Sequence, residues 1–348
     1  MFCHGISGHS SLKVLSSKDK SSSSRCRALK SLPCDFCRLI FLVTRKAIIV
    51  GSAGQDGRLL TEHLVVRGYE VIGVDRYNHD ISDSVQIQEL VHNARADEIY
   101  YLAAHHQSSE GKSDADTELL KQSYVVNVMA LGYFLQAALK GKEGCGIFYA
   151  SSSHVFSGGT MVPLNEESPK QPASIYALTK LAGMQLCEFY RTHYGLKASS
   201  GILFNHESPF RRPGFLSKQI AMAAARIAKE GEGELVVGNL DAVVDWGAAE
   251  DFVDAMHRVL QLKQGGDFII ATGIPHTVSD FARVAFEHVG LDHRKYVRVS
   301  PGKIGKRPTT LIGNPAKLME TTGWKATRAF HEMVASLVDF ELARLGHQ

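Results

Sequence analysis

The sequence predicts an α/β protein: a doubly wound parallel sheet with a smaller, mostly helical C-terminal substrate domain. Three observations carry this. Short, continuously apolar, β-branched runs recur, as in "KAIIV" from Lys46, which suits strands buried on both faces. Amphipathic helical stretches alternate with them, giving repeated βα units. After the strand "ASSGILF" the alternation yields to helical apolar spacing in "LSKQIAMAAARIAKEGEG", "SDFARVAFEHVG" and "AFHEMVASLVDFELARLG". The expected division is an extension at 1–41, a sheet domain at 42–204 to which some later segments return, and a second domain at 205–348.

At 348 residues the chain is long enough to bury a large core, and 44% hydrophobic with 22% charged residues is ordinary globular usage. A net charge of +3 argues against nucleic acid or an anionic membrane as partner. No apolar run reaches the roughly 20 residues that span a bilayer. Cys3, Cys26, Cys34 and Cys37 lie near the N-terminus, leaving Cys145 and Cys187 in the patterned region. That is no disulfide framework, so a reducing, cytoplasmic location is expected. Cys34 and Cys37 have ligand spacing without a second pair, and His105 and His106 have none, so no metal is expected. The first 41 residues, with "SSKDKSSSSRCRALK", are rich in Ser and basic residues and nearly acid-free. They read as a disordered or processed extension: a transit peptide, a tag or an upstream start.

The first strand runs into "GSAGQDG" and then the helix "RLLTEHLVVRG". Gly51, Gly54 and Gly57, with Gln55 and Asp56 between the last two, form a glycine turn of the Rossmann type. The first glycine permits the tight turn, the second admits a pyrophosphate, and the third lets helix and strand pack closely. The second strand, "YEVIGVD", ends in Asp75, where a carboxylate binds the ribose hydroxyls and favours NAD. Arg76 beside it suits the extra phosphate of NADP, so the cofactor is NAD or NADP with NAD favoured. Asp80 stands either to reach the adenine or to cap the next helix. The alternation continues through "DEIYYLAA", a helix near "ELLKQSYVVNVMALGYFLQAAL", "GIFYASS" and a helix around "SIYALTKLAGMQLCEFYRTHYG". "DWGAAEDFVDAMHRVL" also reads as a helix, entered by Asp245 and Trp246.

Tyr176 and Lys180 stand at i and i+4, so both project from one helix face. A free phenol, with a pKa near about 10, is no base at neutral pH. An adjacent ammonium and an oxidised nicotinamide both favour the phenolate, which then takes a proton from a substrate hydroxyl. The row "YASSSHVFSG" supplies hydroxyls at a strand end and closes on His154.

Together these features resemble the extended short-chain dehydrogenase/reductase family. Further on, "GSAGQDGRLL", "GILFNHESPFRR", "VGNLDAVVDWGAAEDFVDAM" and "FIIATGIPHTV" are similar, in order, to GDP-mannose 4,6-dehydratases. The resemblance implies an NAD(P)-dependent lyase on a nucleotide-sugar substrate, assembled as a homodimer or homotetramer. Ser152 would orient the substrate hydroxyl, and Asn127 would support the lysine. Asn205 and Glu207 would lie near the substrate, Arg211 and Arg212 on a cofactor loop, and Arg307 on the nucleotide pyrophosphate. The implied reaction oxidises the sugar at C4, eliminates water across C5 and C6, and returns hydride to C6. His154 replaces the family's glutamate that takes the C5 proton, and Phe156 replaces a tyrosine. Val244 and Thr310 replace a basic residue and a glutamate that grip the nucleotide. His154 is therefore either a base, since imidazole is competent, or a buried ring packed beneath the sugar. A 4-epimerase or 4-ketoreductase on the same scaffold is the alternative, needing Ser152, Tyr176 and Lys180 but no C5 base. A non-catalytic dinucleotide-binding regulator fits less well, because both Tyr176 and Lys180 are present.

Overall fold

The apolar runs become strands because helices cover both of their faces. The computed structural model describes residues 44–105, 117–156, 162–300 and 310–346; the predicted extension at 1–41, His106 and Arg307 lie outside them. In the first half, Lys46–Val50 (β1), Gln55–Val65 (α1), Glu70–Val74 (β2), Ser84–Ala94 (α2) and Glu98–Tyr101 (β3) alternate. Thr117–Tyr124 (α3), a π-helical turn at Val125–Met129, Ala130–Lys140 (α4), Gly146–Ala150 (β4), Ile175–Tyr194 (α5) and Lys197–Leu203 (β5) follow. The second half begins with Asn205–Glu207 (β6), Leu216–Glu230 (α6), Leu235–Val237 (β7), Val243–Ala248 (β8) and Ala249–Gln261 (α7). It continues with Asp267–Ile270 (β9), Pro275–Thr277 (β10), Val278–His288 (α8), His293–Tyr296 (α9) and Val297–Val299 (β11). Ala316–Thr322 (α10) and Phe330–Gly346 (α11) complete it.

The main sheet has six parallel strands in the order β2-β1-β3-β4-β5-β9. On one face Ile87, Phe134, Met184 and Cys187 pack against it. On the other lie Leu60, Leu64, Phe252, Met256 and Trp324, from α1, α7 and the segment after α10. Each such side chain contributes about 1.5–3 kcal/mol by leaving water. A third cluster joins α6, α8 and α11 around β7 and β8. The small sheets of this second half are β10-β8-β6 and β11-β7.

Two elements differ from expectation. Asp245 and Trp246 sit on strand β8, not at a helix entry, and the helix starts at Ala249. Val243 and Val244 favour extended chain, and β8 pairs with β6 and β10 on its two sides. The long helix over 117–140 is interrupted by the π turn around Asn127. The extra residue turns Asn127 inward, where its amide oxygen accepts from the His105 amide and its nitrogen donates to Thr179 Oγ1 at 2.9 Å.

Candidate active site

The strand order reverses between β1 and β3, so their carboxyl ends open the crevice where α/β sheets bind ligands. Gly51 occupies this point at φ +94°, and a Cβ on it would fall 2.8 Å from the Ala103 nitrogen. A Cβ on Gly57 would fall 2.3 Å from the Gly51 carbonyl oxygen. Both contacts require glycine. Gly54 is the N-cap of α1 and no side chain caps that helix. Its first-turn amides are therefore suited to phosphate oxygens, and the turn fits a dinucleotide.

Asp75 follows β2 and its carboxylate accepts from the Tyr77 amide at 2.8 Å. Arg76 is exposed, with its guanidinium 5.3 Å over the Tyr77 ring. Asp80 accepts from the amide and hydroxyl of Ser82, and those bonds hold its carboxyl below the usual range. It does not cap α2: Asp83 does, accepting from the Val85 and Gln86 amides. Asp83 has the right distance to the first turn, and Asp80 is three residues too early.

Ser152 stands at the end of β4, buried, and its hydroxyl hydrogen-bonds the Tyr176 phenol. Tyr176 and Lys180 come from the first turns of α5, whose N-cap Ser174 accepts from the Ala177 amide. Such a cap is worth about 1 kcal/mol and fixes where the helix begins, hence which residues face the sheet. Lys180 is 2% exposed, donates to the Ala150 carbonyl at 2.6 Å, and lies 5.7 Å from the Tyr176 ring. Burial pushes Tyr176 up to about 12, against the Ser152 bond and the Arg211 charge. Burial pulls Lys180 down to about 7, against the Asp56 charge. The expected lowering of the phenol by the lysine is thus not supplied by the protein alone. The ammonium is aimed at a backbone carbonyl, and the phenol is desolvated.

His154 lies in a short 3₁₀ turn and is exposed. Its ring meets Tyr176 edge-on, with centroids 6.2 Å apart and planes at 77°. An exposed ring at this place is open to a substrate in the crevice, whether as a base or as a surface beneath the sugar. Phe156 is buried and packs in the core on the α2, α4 and α5 side of the sheet. Asn127 reaches Thr179, the neighbour of Lys180, rather than the lysine itself.

Asn205 and Glu207 lie on β6. Glu207 is buried and approaches Arg211 at 3.1 Å without hydrogen-bond alignment, so that pair is Coulombic. Arg211 stacks on Phe215 at 3.7 Å, while Arg212 is exposed. Arg307 lies outside the described residues. Val244 bridges Leu311, so the positions of Val244 and Thr310 are brought side by side. Gln55 and Asp56 reach β6 from the glycine turn: Gln55 donates to the His206 carbonyl and accepts from the Ser208 hydroxyl. His206 has no role in the sequence reading; its partner Asp56 is 150 positions away. Among the described residues no His, Cys, Asp and Glu group could hold a metal.

A glycine turn at the switch point, with serine, tyrosine and lysine converging at the next strand end but one, defines a dinucleotide-dependent enzyme of the short-chain dehydrogenase/reductase type. The profile of the GDP-mannose 4,6 dehydratase family matches residues 77–337. The chain is 35% identical over 332 residues to GDP-mannose 4,6 dehydratase 1 of Arabidopsis thaliana, covering 85% of this chain and 89% of that one. It is 32% identical over 352 residues to the GDP-mannose 4,6-dehydratase of Vibrio cholerae, covering 84% and 93%. The chain belongs to the GDP-mannose 4,6-dehydratase family. In fold it is similar to UDP-glucose 4-epimerase of Thermus thermophilus in complex with NAD, at TM-score 0.73 and 22% identity over 85% of this chain and 98% of that one. It is also similar to dTDP-glucose 4,6-dehydratase of Bacillus anthracis in complex with NAD, at TM-score 0.73 and 17% identity over 85% and 96%.

Proposed function

We propose that the chain is an NAD(P)-dependent nucleotide-sugar 4,6-dehydratase of the GDP-mannose type. The observation that carries this reading is the Ser152–Tyr176 hydrogen bond beside buried Lys180, with an exposed imidazole at its mouth. A dinucleotide held by the turn at Gly51, Gly54 and Gly57, with Asp75 on its ribose as suits NAD over NADP, would supply a hydride acceptor for C4 and donor to C6, and its positive ring would favour the phenolate. Ser152 orients the C4 hydroxyl, and Tyr176 takes its proton. The resulting ketone acidifies C5. His154, reachable from the crevice and next to Tyr176, takes the C5 proton and passes it to the C6 hydroxyl, which leaves as water while the C5=C6 double bond forms. Asn205 and Glu207 on β6, with Arg307, bind the sugar nucleotide.

Family membership favours dehydration over epimerisation. Residues 42–204, with β9 and α7, form the dinucleotide half, and the rest of 205–348 the substrate half. Exposed Leu178 and Phe189 on α5 and Leu120 on α3 support a homodimer or homotetramer. Among the described residues no helix is long and apolar enough to cross a membrane, and a cytoplasmic site of action is in keeping with that. The test is to incubate residues 42–348 with NAD or NADP and GDP-mannose and read product masses. Loss of one water is expected, and His154→Ala should abolish it while C4 oxidation persists. An unchanged mass with inverted C4 would refute the dehydratase; unaltered dehydration by His154→Ala would refute the base.

A further inference from the structure

The ring of His206 has an acceptor on each side. Nδ1 lies 2.7 Å from the Phe204 carbonyl oxygen, and Nε2 lies 3.0 Å and 3.1 Å from the two carboxylate oxygens of Asp56. Neither oxygen group can donate at neutral pH, so both ring nitrogens must. A ring with two N–H donors is an imidazolium. The ring also stacks on Phe252 of α7 at 4.5 Å, and the side chains are 10% and 20% exposed. Arg211 is the other charged group acting on both, and Lys180 and Tyr176 feel Asp56 from α5.

Asp56 is the second residue of α1, and a carboxylate there sits beside the place a pyrophosphate occupies. Left unpaired, it would repel that anion. We propose that His206 is a positioning residue, a held imidazolium that neutralises Asp56 and locks strand β6 of the substrate half to the cofactor turn. The inference rests on the dinucleotide reading of that turn. Burial acts against the charge on each partner, but their mutual attraction raises the pKa of His206 and, with Gln55 and Arg211, holds Asp56 at about 2. The lock has a second contact, since Gln55 donates to the His206 carbonyl and accepts from Ser208.

The test compares the full chain with His206→Gln, Asp56→Asn and the double variant. The readouts are the dissociation constants of NAD and NADP by calorimetry and ¹⁵N NMR of the His206 ring at pH 7.5. Wild type should show both ring nitrogens protonated. His206→Gln leaves a lone carboxylate and should weaken cofactor binding at least about tenfold. The double variant removes both charges while keeping an amide pair, and should return to within about threefold of wild type. A double variant as weak as His206→Gln would overturn the lock, because His206 would then act by packing on Phe252. A neutral tautomer would overturn it too, and this readout stands even if His206→Gln does not fold. If wild type binds neither dinucleotide while the ring is doubly protonated, the cofactor reading fails and the ion pair survives without this role.

Discussion

A pair of neighbouring histidines should make the protein lose stability in mild acid. His63 of α1 and His257 of α7 approach through Nε2 and Nδ1 at 3.1 Å, and His257 Nε2 lies 3.2 Å from the Tyr69 hydroxyl. That hydroxyl donates to Glu98 at 3.1 Å, so its oxygen accepts from His257 Nε2–H. With both rings neutral at pH 7, His257 Nδ1 then accepts from His63 Nε2–H. Burial, with Arg67 next, depresses both rings from 6.5 to about 4. Each full shift is about 3.4 kcal/mol. Solvent reaches part of both rings and the two are coupled, so about 2 kcal/mol for the pair is the working figure. The sign follows from proton counts. Below 6.5 the unfolded state binds more protons than the folded one, so this stability is full above 6.5 and drains as pH falls toward 4. Urea denaturation of wild type and His63→Leu/His257→Phe at pH 7.5 and 5.0 measures it. The wild type should lose about 2 kcal/mol more than the variant. Equal losses would refute the argument.

Three further outcomes are expected. Tyr176→Phe should lower kcat at least about 100-fold with cofactor affinity nearly unchanged, by stopped-flow and calorimetry, because only the proton-transfer oxygen is removed. Gly57→Ala drives a methyl into the Gly51 carbonyl, so the turn must shift, and NAD binding should weaken at least about tenfold in the same titration. Glu341 of α11 is 1% exposed and pairs with Lys218, which also donates to the Pro209 carbonyl at 2.8 Å. Glu341→Gln leaves that lysine and Arg344 without their carboxylate, and should cost about 3 kcal/mol in urea.

What the sequence makes legible is whatever is built from near neighbours. The glycine turn is a contact of Gly57 with Gly51 six positions away, and the Tyr176–Lys180 face follows from one helical turn. The carbonyl that claims Lys180 belongs to Ala150, thirty positions back on β4, and no local pattern predicts it. Asp245 shows the same limit. Its carboxylate accepts from the amides of Thr272, Gly273 and Gly313, so a motif that reads as a helix entry is a strand stitching two distant loops. The capping of α2 failed for a smaller reason: two carboxylates three positions apart both suit a cap, and only backbone geometry selects Asp83. For His154 the sequence leaves base and packing beneath the sugar open, and its exposed ring 6.2 Å from that of Tyr176 suits either.

The same side chain thus carries opposite charge states at two places, and surroundings decide which. Burial and Arg67 keep His257 neutral; His206 faces two acceptors and must be charged. The placement of the charged one has a consequence for catalysis. β5 ends at Leu203 and β6 starts at Asn205, so one residue, Phe204, separates the parallel sheet from the strand bearing Asn205 and Glu207. Its amide is tied to Ile270 of β9 and its carbonyl to the His206 ring. Hydride transfer demands that C4 of the sugar and the nicotinamide keep a separation fixed to a few tenths of an ångström. Covalent continuity through Phe204 sets one edge of that geometry, and the Asp56–His206 pair sets the other. A chain that kept Tyr176 and Lys180 but lost His206 from this pair would grip the dinucleotide less tightly and misalign the sugar against it.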